Sequence, residues 1–193
     1  MHGFSRSVLM SLAFMVALTS AQAVEPPVST RAQREMQIHK VPQLGLEIWV
    51  ENQPPWEVEL KKAKTLQTFV AQSPPDYYPP AVMTYLTVPG RSVEAAVLAG
   101  VAKTAIRQAA ENYRVTPTVR VVLEPQPARY GSLTGYESSF EGWANGEAVE
   151  VKVFVGHVPG SAPVAMQVYT LRGKLAHLSE PIRRAWTNVK YLR

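Results

Sequence analysis

The chain has 193 residues with 20 basic and 15 acidic side chains, a net charge of +5, and no cysteine. That length suits one domain with an appendage, and the lack of cysteine excludes disulfides, thiolate nucleophiles and a lipidated N-terminal Cys. The basic residues are spread along the chain, apart from Lys61, Lys62 and Lys64 and the C-terminal segment, so no nucleic-acid face is expected.

Residues 1–23 read as a cleavable signal peptide. Arg6 gives a positive start, an apolar run over 8–18 follows, and Ala21-Gln22-Ala23 is an Ala-x-Ala cleavage site. The apolar run is too short to span a bilayer. The expected product starts at Val24 and is periplasmic or secreted, with a charge of +4 once Arg6 is gone. Residues 24–43 read as a polar leader, loose or weakly docked, and 44–193 as a single domain.

Residues 44–51 alternate, with Leu44, Leu46, Ile48 and Val50 on one face and Trp49 on the other. Pro54-Pro55 ends that strand. Trp56, Val58 and Leu60 continue with period 2 as a second strand, and 65–71 is a third. Residues 73–80 hold four prolines and two tyrosines and read as a loop. Residues 81–88 are a fourth strand.

Ser92 is the expected N-cap of a long helix, with Glu94 in its first turn. Its apolar stripe is expected at Val93, Val97, Val101 and Ala105, flanked by Leu98 and Ile106. Its small residues, Gly100 among them, would permit close approach to a sheet. Glu94, Lys103 and Arg107 argue against a transmembrane reading. Tyr113 and Thr116-Pro117 end the helix, 118–124 is a strand, and 125–132 a loop.

Residues 136–155 form the clearest unit. Asn145-Gly146 is the strongest short-range hairpin signal, because both residues tolerate a type I′ turn. The turn fixes the register. Gly142, Phe140, Ser138 and Tyr136 face Val149, Val151, Val153 and Val155 on one side. Glu141, Ser139 and Glu137 face Glu150, Lys152 and Phe154 on the other. Lys152, diagonal to Glu141, is expected to relieve the Glu141–Glu150 repulsion. A connection over 158–163 leads to a last strand, 165–171, and an Arg172-Gly173 turn. Ser179 should cap a terminal helix whose Ile182, Ala185, Trp186 and Val189 make one stripe.

The order is that of an α+β fold: an antiparallel sheet of about seven strands flanked by a long central helix and a C-terminal helix. Pro54-Pro55-Trp56 early in the chain, the helix, a meander bearing Gly135-Tyr136-Glu137 and a hairpin, and a terminal amphipathic helix over 179–192 together resemble the PsbP-like/DcrB-like group of α/β/α sandwich proteins. The resemblance covers about residues 44–192. It implies helices on both sheet faces and an accessory or docking role outside the cytoplasm. It brings no catalytic motif and no site residues.

Composition leaves little room for catalysis. Asp76 is the single Asp and reads as a turn residue in Pro74-Pro75-Asp76-Tyr77-Tyr78. There is no Gly-x-Ser-x-Gly elbow, no phosphate loop and no His-x-x-x-His spacing, so no catalytic residue, cofactor or metal ligand is assigned. His39, His157 and His177 are the histidines outside the leader peptide. A hydrolase using Ser, His and Glu remains an alternative, as does a carrier of a small apolar ligand. The leading expectation is an exported non-catalytic accessory or binding protein with an envelope protein partner. Its candidate interaction surface is Tyr77 and Tyr78 in the proline-rich loop, with Trp143 and Phe154 on the carboxylate-bearing side of the hairpin. That side is either covered by a helix or free for docking.

Overall fold

In a computed structural model, the described residues are 36–192 except 64–65, 88–90 and 115–123. The expected leader peptide and the strand expected at 118–124 lie outside the described residues, Glu124 apart. Among these described residues, ten strands and two helices follow one another as β1 (Met36–Val41), β2 (Leu46–Glu51), β3 (Glu57–Ala63), β4 (Leu66–Gln72), β5 (Ala81–Thr87), α1 (Ala95–Asn112), β6 (Gln126–Tyr130), β7 (Leu133–Ala144), β8 (Glu147–His157), β9 (Val164–Leu171), α2 (Ser179–Thr187) and β10 (Lys190–Tyr191). A 3-10 helix, Leu175–Leu178, leads directly into α2.

Seven strands form one antiparallel sheet in the order β3-β4-β5-β9-β8-β7-β6, and β1-β2-β10 form a three-stranded sheet. The fold is therefore α+β, as the element order indicates. Helix α1 packs on β7 and β8 across one face of the large sheet. The opposite face is covered by α2 together with the small sheet.

The β7–β8 register is the one the Asn-Gly turn dictates: Gly142 faces Val149, Phe140 faces Val151, and Glu137 faces Phe154. Asn145 and Gly146 both have positive φ, 52° and 84°. Val149, Val151, Val153 and Val155 join Phe140, Ile106, Ala102 and Tyr169 in the core beneath α1. Phe154 points the other way, into a second core with Leu46, Ile48, Val50, Phe69, Tyr85, Met166, Ile182 and Trp186. Strand β8 thus feeds two cores, as expected of a strand covered on both sides.

Several elements differ from the sequence reading. The last residues of the polar leader, Met36–Val41, are a strand paired to β2. Only Val41 of that strand is buried, so its sequence carries little apolar signal. Residues 126–130, expected as loop, are edge strand β6. Pro127 is tolerated there because an edge position demands no donor on its outer side. Ser92 does not cap α1. The cap is Glu94, in extended conformation and without a side-chain hydrogen bond, and no acid lies in the first turn.

The phase of α1 is also shifted by one residue. Leu98, Ala102, Ile106, Ala109 and Ala110 are buried, whereas Val97 is 53% exposed and Val101 36%. The helix is Ala-rich all round, so apolar periodicity alone does not choose a face. The bulkiest side chains, Leu98 and Ile106, do. Close approach comes from the sheet and not from Gly100, where an added Cβ would meet nothing within 4 Å. A Cβ on Gly142 would lie 2.5 Å from the Tyr113 carbonyl oxygen, and that carbonyl accepts the Trp143 N–H at 2.7 Å.

Ser179 has helical angles, so it is the first residue of α2 and not its cap. The expected stripe holds: Ile182, Ala185, Trp186 and Val189 are all buried. The helix ends earlier than expected, and Lys190–Tyr191 pairs with β2.

Candidate functional site

The four aromatic residues proposed from sequence do not form one surface. Phe154 is 0% exposed and Tyr77 is 3%. Phe154 lies 4.9 Å from the Tyr130 ring centroid and 6.4 Å from that of Trp186. Tyr77 stacks edge-on against Trp56 at 5.2 Å and its hydroxyl donates to Glu51 at 2.8 Å. Both belong to the core. The proline-rich segment is a loop, as expected from its sequence. It turns, with the Tyr77 N–H donating to the Pro74 carbonyl at 3.0 Å. Asp76 lies in that turn, where its residue type is favoured.

Trp143 and Tyr78 remain near the surface, and the β9–3-10 connection joins them. Arg172, Gly173 and Lys174 make a tight turn in which the Lys174 N–H donates to the Leu171 carbonyl at 3.1 Å. Gly173 sits at φ +72°, the left-handed region that suits glycine. The turn is tied to the hairpin end, because the Arg172 N–H donates to the Ala148 carbonyl at 3.1 Å, and Ala148 faces Trp143. From this turn the Arg172 guanidinium lies 5.5 Å from the Trp143 ring centroid, and the Lys174 ammonium lies 5.4 Å from that of Tyr78. Both are within the range of cation–π attraction. Trp143 is nonetheless 46% exposed.

The carboxylates of this side are engaged. Glu141 accepts from Arg172 Nε at 2.9 Å. Glu150 accepts the Leu175 N–H at 2.9 Å and so anchors the 3-10 helix. Lys152 pairs with Glu137 at 2.9 Å and not with Glu141. Both glutamates are diagonal to Lys152 across Ser139. Arg172 already holds Glu141, and the Tyr130 hydroxyl donates to Glu137 at 2.7 Å, completing the other group. Burial, then the neighbouring Glu137, holds the Tyr130 phenol well above its usual range. Three carboxylates on one face therefore act as three separate structural acceptors.

The histidines do not converge. Glu150 holds the start of the 3-10 helix that carries His177, while His157 ends β8. Seven residues of strand separate those positions, about 23 Å. His39, on β1, stacks against Phe69 at 5.4 Å, and burial lowers its pKa. Among the described residues, no three His, Asp or Glu side chains gather as a metal site would require. No described helix is long and apolar enough to cross a membrane.

Sequence reasoning placed Trp143 and Tyr78 but missed Arg172 and Lys174. The usable signal was register. Strand β9 pairs with β8 so that Leu171 faces Val149, which brings the end of β9 to the end of the hairpin.

Comparison with solved structures recovers the architecture. A crystal structure from Bacteroides thetaiotaomicron VPI-5482 aligns with a TM-score of 0.55 and 8% identity, over 81% of this chain and 48% of that one. This chain thus spans about half of that protein. LpqN of Mycobacterium tuberculosis, described as involved in cell envelope biogenesis, aligns with a TM-score of 0.46 and 15% identity, over 83% of this chain and 91% of that one. No protein-family model and no curated protein matches the sequence. At such low identity, the Bacteroides likeness extends to the fold alone.

Proposed function

We propose that this protein is an exported, non-catalytic accessory or binding protein of the bacterial envelope, acting by protein–protein contact. Its docking surface is the sheet end built from Trp143, Arg172, Lys174 and Tyr78. The observation that carries this reading is Trp143, half exposed on the same sheet side on which Phe154 is fully covered. Trp, Tyr and Arg are the side chains that dominate binding hot spots. The Glu141 carboxylate fixes the Arg172 guanidinium in advance, so less side-chain entropy is lost on binding. Residues 1–23 supply the export signal, and the likeness in element order to the PsbP-like/DcrB-like group favours docking over catalysis.

The test is affinity capture from envelope extracts with the tagged protein and with Trp143→Ala and Arg172→Glu. Matching circular dichroism spectra would show that both variants fold. A partner retained by the parent protein and lost from both variants is the expected result. A captured set that neither substitution changes would refute the surface.

A further inference from the structure

We propose that β3 is a dimerisation edge through which two copies of this chain join their large sheets into one continuous antiparallel sheet. The surface is separate from the Trp143 end and does not depend on the function proposed for it.

An open sheet has two edges, and here they are unlike. Edge strand β6 is five residues long and contains Pro127, which has no N–H to offer. Edge strand β3 is seven residues, Glu-Val-Glu-Leu-Lys-Lys-Ala, with no proline and no glycine. Its first four residues are all exposed. Val58 and Leu60, at 39% and 37% exposure, lie on the face of Ala71 and Phe69, their partners on β4. Glu57, Glu59 and Lys61 lie on the other face. An exposed edge of this kind is a template for another strand.

The charge order selects the partner. A two-fold axis perpendicular to the sheet makes the β3 strands antiparallel and keeps each residue on its own face. Only registers that pair residues of the same parity satisfy it. Centring on Glu59 or Lys61 sets like charges against each other, and centring on Val58 sets Glu57 against Glu59. Centring on Leu60 pairs Leu60 with its own copy, Glu59 with Lys61 of the second copy, and Lys61 with Glu59. The strand is thus complementary to itself in one register. Within a single copy, Glu59 and Lys61 already pair at 3.1 Å. The dimer would exchange those partners and keep the charges matched. Strand β1, also an edge, has the sequence Met-Gln-Ile-His-Lys-Val, lacks an acid and offers no such match.

Sedimentation velocity of the purified protein over a dilution series should return the mass of two copies at the higher concentrations. Glu59→Lys sets lysines opposite lysines at two symmetric positions and should weaken association about tenfold. The double exchange Glu59→Lys/Lys61→Glu should restore it, which a loss of folding would not allow. The natural absence of cysteine permits a second reading of register. Under oxidation Leu60→Cys should cross-link two copies, since opposed residues on antiparallel strands fall within disulfide reach. Val58→Cys should not, because its own copy lies about 13 Å along the strand. A single-copy mass throughout, a dimer indifferent to Glu59→Lys, or equal cross-linking at 58 and 60 would overturn the proposal.

Discussion

Replacing Trp186 with alanine tests whether α2 is part of the core or a removable tail. Trp186 is 0% exposed. Its ring lies 5.1 Å from the Tyr130 centroid, edge to face, and 6.4 Å from Phe154. A buried Trp→Ala change costs about 3–5 kcal/mol. The upper half of that range applies here, because two aromatic contacts worth about 0.5–1.5 kcal/mol each go with it. For a domain whose whole stability is about 5–15 kcal/mol, that is a large share. The melting temperature should fall by about 8–20 °C, at 2–4 °C per kcal/mol for a chain of this size. Trp186→Phe should recover part of the loss. Deleting residues 179–193 should abolish cooperative unfolding, since it also removes β10 and the Leu192 N–H bond to the Gly45 carbonyl at 2.8 Å. The rival reading is a basic helix held on anionic lipid by Arg183, Arg184, Lys190 and Arg193. Arg183, however, is bonded to Glu180 at 2.7 and 2.8 Å. Thermal and urea unfolding followed by circular dichroism decide the matter. A loss below about 1 kcal/mol, the range of ordinary surface substitutions, would refute the packing argument.

Two further outcomes follow from the same cores. Val151→Asp should cost at least about 3–5 kcal/mol, because it buries an unpaired carboxylate between Phe140 and Tyr169. Lys152→Asp, which breaks a half-buried pair with Glu137, should cost only about 1–2 kcal/mol; equal urea midpoints for the two variants would mean the hairpin register is wrong. Stability should also fall between pH 10 and 12. Burial pushes Tyr169 up to about 12 and raises Tyr85 as well, so the unfolded chain ionises first. The contribution is full below pH 10 and is lost as pH rises through the folded value, at about 1.4 kcal/mol per pH unit per phenol. Tyr169→Phe should flatten that slope at little cost near neutrality, since its buried hydroxyl has no hydrogen-bond partner among the described residues; urea midpoints that do not fall above pH 10 would contradict this.

The parts of the fold legible in the sequence are those where two signals agree. At residues 136–155 a turn dipeptide and a period-2 alternation demand the same register, and it is the one observed. In α2 a single wide stripe includes Trp186, and no rival stripe competes. In α1 two apolar stripes compete, because Ala96, Ala99, Ala102 and Ala105 blur the contrast between faces, and the choice falls to Leu98 and Ile106. Strands β1 and β6 each pair with one neighbour and have Val41 as the single fully buried residue between them, although Met36, Ala128 and Tyr130 pack in part against the core. Hydrophobic pattern reports burial, so strands stabilised chiefly by backbone bonds leave little trace in it.

The candidate site was half legible for a geometric reason. Alternation assigns a residue to a sheet face but does not say how far along the strand that face is covered. Phe154 and Trp143 share a face, yet Trp143 faces Ala148, six residues along β8 from Phe154, about 20 Å. A helix over 179–192 would be about 21 Å long. The observed α2 has nine residues, about 13 Å, and Trp186 within it sits over Phe154. The rest of the expected helix is spent differently. Lys190–Tyr191 leaves to pair with β2, and the chain before Ser179 tightens into a 3-10 turn that Glu150 holds at the edge of the cover. The cover therefore stops short of the hairpin end. Trp143 is left with Arg172 over part of its ring and is otherwise exposed, because the cover begins only at the 3-10 turn that Glu150 holds.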